Sequence, residues 1–255
     1  MLPFVNLLET EFGKYMTFSG RDFISRYLFI NGHWEITHIK ISELLIHNNQ
    51  HYNNVIDIGA NLGAFTVPIA LRTSGKVYSF EPQRIIFQQL CGNCFLNRLD
   101  NVIAYNFAIG NPKVDNEVIS VPVRDYTNES NIGGISLDPE IRKIDDIKHS
   151  PILYYENIEL RSIDSFNLKE IALIKIDVEG MEESVLRGSV YTLKQNNYPP
   201  ILFEMWADEW YREQRKSLTN FLFELGYDSI QRFGQIDWLA QHKSQLNKII
   251  INQGK

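Results

Sequence analysis

The 255-residue chain contains only two cysteines, Cys91 and Cys94, too few for the disulfide framework of a secreted scaffold. It also has no long hydrophobic run. Stretches such as Ile249 to Ile251, closed at once by Asn252, fall far short of the roughly 20 apolar residues that a bilayer span requires. Basic charge is not in excess, with 25 Lys+Arg against 31 Asp+Glu, and a dedicated nucleic-acid binder is not expected. The opening Met1-Leu2-Pro3-Phe4 has no basic stretch and meets Glu9 and Glu11 early, so it does not read as a signal peptide. These absences leave a reducing, cytoplasmic setting as the expectation. No internal repeat or low-complexity tract is visible. What is present is 44% hydrophobic and 12% aromatic content, the profile of a globular protein with a large core.

The two cysteines spell C-x-x-C, as Cys91-Gly92-Asn93-Cys94, a spacing used by redox pairs and by half zinc sites. The pair sits inside a helical pattern that starts near Ile85, away from any strand-to-helix turn. Two packed helix thiols are the expectation.

Residues 1–50 read as a mixed, largely helical lead-in, and 51–255 as one domain. Within that domain Val55 to Ile58, Val77 to Phe80 and Val102 to Tyr105 are short apolar strands. Helical patterns separate them, near Phe65 to Leu71 and from Gln83 to Asn97, which gives β-α-β-α-β and a parallel sheet covered on both faces. From about 110 to 162 the texture loosens into hairpins and loops, read as an insertion over the sheet. The rhythm returns with a strand from Ile171 to Ile176, a helix from Met181 to about Lys194 and a strand at Ile201 to Phe203. A long helix from about Asp208 to Leu225 then leads into a terminal hairpin.

The first strand–turn–helix is Val55-Ile56-Asp57-Ile58-Gly59-Ala60-Asn61-Leu62-Gly63. Two glycines bracket the turn and allow a ligand to approach the backbone closely. Asn61 stands where a dinucleotide fingerprint has its middle glycine, and no Gly-Lys-Ser/Thr follows as in a P-loop. Glu81 ends the second strand 18 residues after Gly63, where a carboxylate can accept both hydroxyls of a ribose. Asp57, at the mouth of the turn, disfavours a pyrophosphate and favours a cationic amino group. S-adenosylmethionine (SAM), with its ribose and its amino-acid end, fits both carboxylates. The plainer alternative is that Asp57 caps the following helix and Glu81 forms a surface pair.

The run Val55 to Thr66 resembles motif I of class I SAM-dependent methyltransferases in the variant typical of the FkbM family, and Phe80-Glu81-Pro82 resembles that family's second motif. Ser162 to Phe166 and Leu173-Ile174-Lys175-Ile176-Asp177-Val178-Glu179-Gly180-Met181-Glu182 resemble its most distinctive block. Leu186-Arg187-Gly188, Ile201 to Glu204 and Gly32-His33-Trp34-Glu35 extend the likeness, from about Gly32 to Glu204. The resemblance implies an α/β fold: a Rossmann-like seven-stranded sheet, mostly parallel with an antiparallel last strand, and helices on both faces. It also implies O-methylation of a hydroxyl on a sugar, glycoconjugate or small metabolite. Carried over by position, Asp57, Gly59, Ala60, Asn61 and Gly63 would surround the methionine part of SAM. Glu81 would hold the ribose, and Pro82 and Gln83 would begin the adenine wall. Phe107-Ala108 stands where many members have an acidic residue, so adenine contact there would fall to the Ala108 backbone.

Methyl transfer from a sulfonium has a good leaving group, so holding the acceptor in line supplies much of the acceleration. A hydroxyl must also lose a proton, which asks for a base or a metal. Asp177 and Glu179 stand where a central strand ends, Asp177 able to touch the cofactor as well, and His33 is the first histidine to test as a base. His38, His47, His51, His149 and His242 read as surface or capping groups. Lys175, inside an apolar strand, needs a partner, with Asp177 or another carboxylate as candidates. Asp177, Glu179 and Glu204 could hold a divalent cation such as magnesium, although spacing alone does not support one. Trp206 and Trp210, one helical turn apart, could stack on a sugar ring, with packing the favoured alternative, and the Gly/Ser-rich run Asn128 to Leu137 could cover the pocket. A homodimer is compatible with all of this. Two rival readings stay open: a nicotinamide-dependent oxidoreductase on a Rossmann sheet, and a non-catalytic SAM-binding module on the same scaffold.

Overall fold

The computed structural model describes residues 3–49, 51–128, 131–145 and 150–251. His149 and, within the Gly/Ser-rich run, Glu129 and Ser130 lie outside the described residues. The chain opens with a hairpin, β1 (Val5–Thr10) and β2 (Gly13–Phe18), followed by α1 (Phe23–Asn31) and α2 (Ile36–Asn48). The expectation of a largely helical lead-in is therefore corrected for its first third. Residues alternate here with period two, so that Tyr15 and Thr17 are buried while Lys14 is exposed. Thr10 closes the turn by donating from its hydroxyl to Gly13 C=O, at 3.0 Å.

A seven-stranded sheet follows from β3 (Asn54–Ile58), β4 (Val77–Phe80), β5 (Val102–Tyr105), β9 (Ile171–Ile176), β10 (Ile201–Glu204), β11 (Tyr227–Arg232) and β12 (Asp237–His242). Its spatial order is β11-β12-β10-β9-β3-β4-β5. β9, β3, β4 and β5 pair in parallel, as does β10 with β9, whereas the last strand, β12, runs antiparallel to both β10 and β11. This is the α/β sheet implied by the family likeness. Chain order reverses between β3 and β9, and such a switch point opens a crevice beyond the carboxyl ends of the strands.

The sheet is buried on both faces, which is why β3 and β9 read as continuous apolar runs. Ile56, Ile58, Ile174, Ile176 and Phe203 pack on one side with Val185 and Leu186 of α6 (Glu182–Arg187) and Leu218 and Leu222 of α8 (Arg212–Leu225). Val55, Leu173 and Leu202 pack on the other with Ile39 and Leu45 of α2 and Phe65 and Ile69 beside α3 (Thr66–Ala70). Alternation thus puts Asp57, Lys175 and Glu204 on the α2–α3 side, continuing the rows of Val55, Leu173 and Leu202.

Two helices differ from the sequence reading. The helix expected from Met181 to Lys194 is interrupted into α6 and α7 (Val190–Gln195). The break falls at Gly188, where a Cβ would lie 2.1 Å from Gly110 C=O, so the chain there passes against another backbone. α8 starts at Arg212, after a single tight turn over 209–211. α4 (Arg84–Leu96) carries both cysteines as free thiols, Cys94 buried and Cys91 half-buried, and burial pushes both thiols up. Between β5 and β9 the chain forms β6 (Ala108–Ile109), β7 (Val118–Arg124), α5 (Pro139–Asp145) and β8 (Ile152–Arg161), with a three-stranded sheet ordered β6-β8-β7. No helix among the described residues is long and apolar enough to cross a membrane.

Candidate active site

A cavity of about 300 Å³ opens at the carboxyl ends of the parallel strands. Gly59 after β3, Glu81 after β4, Phe107 after β5, Asp177 after β9 and Glu204 at the end of β10 all line it. A larger, open depression of about 960 Å³ lies at the amino ends, among residues such as Asn53, Ser74 and His47; neither the glycine turn nor the converging carboxylates line it, and Glu43 is its one acidic residue among the described residues.

The glycine turn is shaped by contact with the neighbouring strand. Gly59 has φ 82°, and a Cβ there would fall 1.7 Å from Asp177 C=O, so only glycine lets β3 and β9 close at this point. Asn61 also takes a left-handed conformation, φ 52°, with its side-chain carbonyl accepting Leu62 N–H at 2.7 Å. Glu81 ties two backbones together: it accepts Asn61 N–H at 3.0 Å and Gln83 N–H at 2.8 Å. Burial pushes its carboxyl up to about 8, against the opposing pull of these two bonds. Glu182 does for the second turn what Glu81 does for the first. It accepts Val178 N–H at 3.3 Å and Gly180 N–H at 3.2 Å around the left-handed Glu179, and burial raises it to about 7.

The floor is acidic. Carboxylate oxygens of Glu35, Asp177 and Glu204 lie within 4.8 Å of one another, and Glu81 and Glu179 line the same cavity. No Lys, Arg or His lines it among the described residues. Lys175 lies just beneath, 4% exposed, with its ammonium 2.7 Å from Asp177. Burial alone would lower Lys175, but Asp177, Glu35 and Asp57 outweigh it and hold the ammonium above its ordinary value. Glu204 is raised by burial and by the carboxylates of Asp177, Glu179, Glu35 and Glu182. Glu35 is raised by burial, opposed by His38 and Lys175.

The model of the Methyltransferase FkbM domain matches residues 57–229, the span that holds this glycine turn, both carboxylate turns and β9. The chain belongs to the FkbM methyltransferase family. Curated relatives include Methyltransferase sdnD of Sordaria araneosa, 26% identical over 203 residues, 68% of this chain and 73% of that protein. Another is Methyltransferase 1 of Beauveria bassiana, 25% identical over 149 residues, 52% of this chain. That match spans only 57% of the Beauveria protein's length. Among solved structures, the fold is similar to precorrin-6y C5,15-methyltransferase from Geobacter metallireducens (TM-score 0.47, 9% identity, 80% of this chain and 87% of that one). It is also similar to TYW2 of M. jannaschii, solved in complex with AdoMet (TM-score 0.43, 13% identity, 94% and 84%).

In this FkbM domain the structure brings Gly59, Asn61, Glu81, Pro82, Gln83, Asp177 and Glu179 into one cavity. Ala60 and Gly63 build the turn without facing the cavity. Four sequence assignments are corrected. Asp57 is fully buried beneath the turn rather than at its mouth, because it lies inside β3, one residue short of the strand's end, and is covered by Thr66 of α3. There it accepts the Thr66 hydroxyl at 2.5 Å, and burial raises its carboxyl. Ala108 faces the core with Val121 and Leu160, and alternation turns Phe107 and Ile109 to the cavity instead. His33 packs edge-on against Phe12 and Tyr27; Gly32, left-handed at φ 73°, ends α1 so that Trp34 and Glu35 face the cavity in its place. The carboxylates that converge are Glu35, Asp177 and Glu204, and Glu179 does not join that trio.

Other assignments resolve simply. His38 is buried rather than superficial, 3.6 Å from Glu35 and 3.2 Å from Asp237. His242 is buried too, stacked on Tyr198 and 3.2 Å from the last carbonyl of α8, while His47 and His51 are exposed. Trp206 and Trp210 pack on each other and on Tyr211, away from the cavity lining. Asn131, Gly133 and Gly134 of the Gly/Ser-rich run line the cavity; a Cβ on Gly133 would lie 1.7 Å from the Asn61 amide, and its carbonyl accepts the Gln83 amide at 3.3 Å. Sequence reasoning marked Glu35, together with His33, as able to reach the site from the lead-in, but preferred His33 as the base and gave Glu35 no role. It missed Glu182 as an anchor.

Proposed function

We propose that the chain is a SAM-dependent methyltransferase acting on a hydroxyl of a sugar, glycoconjugate or small metabolite. The observation that carries this reading is the cavity at the switch point, lined by carboxylates and, among the described residues, by no basic side chain. Such a lining suits a cationic ligand and repels a bridging pyrophosphate. The residues also fit the rest of the cofactor. Glu81 has lone pairs left for a ribose diol, Gln83 Oε1 is a buried acceptor with no partner of its own, and Pro82, Phe107 and Ile109 form an apolar wall for adenine.

When bound, SAM supplies a methyl group on a sulfonium, an electrophile that needs no further activation. The chain's part is to hold, orient and deprotonate. Gly59 and Asn61 bring backbone close to the cofactor, and Glu81 orients its ribose. Asp177, Glu35 and Glu204 face the acceptor end. Burial, and for Glu204 the neighbouring carboxylates, raise the carboxyls of Glu35 and Glu204, and in its ionised form either is the candidate to take the hydroxyl proton as the methyl arrives. Phe23 and Trp34, edge-to-face at 5.6 Å on the cavity rim, offer apolar faces to an acceptor ring.

The test is calorimetry with SAM and with NADH, followed by mass spectrometry of glycans and metabolites from cells with and without the gene. SAM binding and a product that loses one methyl group in the deleted cells are expected. Binding of NADH in place of SAM overturns the reading. SAM binding with no change in any metabolite leaves a binding module and removes the transferase.

A further inference from the structure

α4 and the residue that caps its C-terminus carry amides four residues apart, Gln89, Asn93 and Asn97, on one face, and that face meets the outer edge of β2. Lys14 and Met16, two apart in β2, point their N–H and C=O groups away from β1. Asn97 accepts Lys14 N–H at 2.8 Å and donates to Lys14 C=O at 2.6 Å. Gln89 donates to Met16 C=O at 2.7 Å, and Asn93 accepts Met16 N–H at 2.6 Å. The amide row thus takes the place of a neighbouring strand. Gly92 lies under the Met16 side chain, whose methyl would be 2.1 Å from a Cβ there.

Asn93 alone continues inward. It is fully buried, and its amide nitrogen donates to Leu62 C=O at 2.8 Å. Leu62 sits between Asn61 and Gly63, both left-handed, φ 52° and 92°, in the turn that lines the cavity. Only one orientation of the Asn93 amide satisfies both ends, because the reverse would set its NH₂ against Met16 N–H. Resting on the reading that this turn receives SAM, we propose that Asn93 is a positioning residue for the cofactor turn. It holds Leu62 C=O, which keeps the two left-handed residues in place, and it couples that geometry to the docking of the N-terminal hairpin. Without it a buried carbonyl loses its partner and the strained turn is free to relax.

The experiment compares Asn93→Leu with the double variant Gln89→Ala/Asn97→Ala, which weakens hairpin docking and spares the Leu62 bond. Two readouts are taken: hydrogen exchange of the 59–65 segment without ligand, and SAM affinity by calorimetry. Asn93→Leu should speed exchange and weaken SAM by about tenfold each, while the double variant, whose effect reaches the turn only through the retained Asn93, should change both by about threefold or less. The wild-type chain supplies a further arm that no folding defect can spoil. By reciprocity, SAM should slow exchange at the Met16 amide, which lies outside the cavity lining. Wild-type-like exchange and affinity in Asn93→Leu overturn the proposal, as does equal damage in the double variant or an unmoved Met16 amide in the SAM-bound wild type. If the wild type fails to bind SAM, the proposed function falls, and the ligand-free exchange of 59–65 still decides whether Asn93 holds the turn.

Discussion

Replacing Glu81 by glutamine should harm cofactor binding nearly as much as replacing it by alanine, although glutamine is the closer mimic in shape. Both carboxylate oxygens already accept backbone N–H groups, from Asn61 at 3.0 Å and Gln83 at 2.8 Å. A carboxamide has one acceptor oxygen, so its NH₂ must face one of these two donors. Losing that backbone bond weakens the free and bound chain alike and falls on stability, whereas the proposed ribose diol loses a charged acceptor, about 1.5–3 kcal/mol of binding. That loss corresponds to a rise in Kd of about ten- to a hundredfold. Calorimetry with SAM at pH 8.5 measures it, with circular dichroism confirming the fold. The pH dependence adds a second check. Glu81 is held up to about 8, and a diol donor prefers the ionised carboxylate, so wild-type affinity should rise from pH 6.5 to 9 and then level. In Glu81→Gln that rise should vanish. Binding by Glu81→Gln within about twofold of wild type would refute the reasoning, because it would mean that the ribose does not use the second oxygen.

Lys175→Met leaves Asp177, Asp57 and Glu35 without their buried ammonium; denaturant titration should show a loss of about 3–5 kcal/mol at pH 8 and a smaller loss at pH 5, where the carboxyls can protonate. Equal stability at both pH values would remove Lys175 from the centre of the cluster. Folded Glu182 and Glu81 keep protons to about pH 7 and 8, well above their unfolded values near 4.5. The folded state therefore binds more protons in that window, and ligand-free stability should fall as pH rises from about 5 to 8. A melting series in which Glu182→Gln shows the same slope as wild type would contradict the Glu182 share. His33→Ala should leave SAM affinity within about twofold, since its ring packs on Phe12 and Tyr27 outside the cavity lining. A loss beyond about tenfold would place the imidazole at the ligand.

Much of the fold was legible because parallel strands covered on both faces write themselves as unbroken apolar runs, as Ile171 to Ile176 does between two turn signals. The hairpin at residues 5–18 was misread because its alternation is short and interrupted, and its outer edge is completed by amides of α4 rather than by a strand. The interrupted helix at Gly188 was hidden for a similar reason, since the cause is the passing backbone of Gly110.

The sequence by itself determined the α/β class, the glycine turn, the carboxylates at the ends of β4, β9 and β10 and the family. All of these are local, carried by residues within one strand and the turn after it. Only the tertiary structure decided which side chains share the cavity. Depth within β3 kept Asp57 from it, strand parity carried Ala108 away, and a left-handed Gly32 exchanged His33 for Glu35. The packing of β9 against β3 and β10 then set Lys175 under Asp177, Glu35 and Glu204. A carboxyl's basicity depends on burial and on charges a few ångströms away, and those neighbours are distant along the chain.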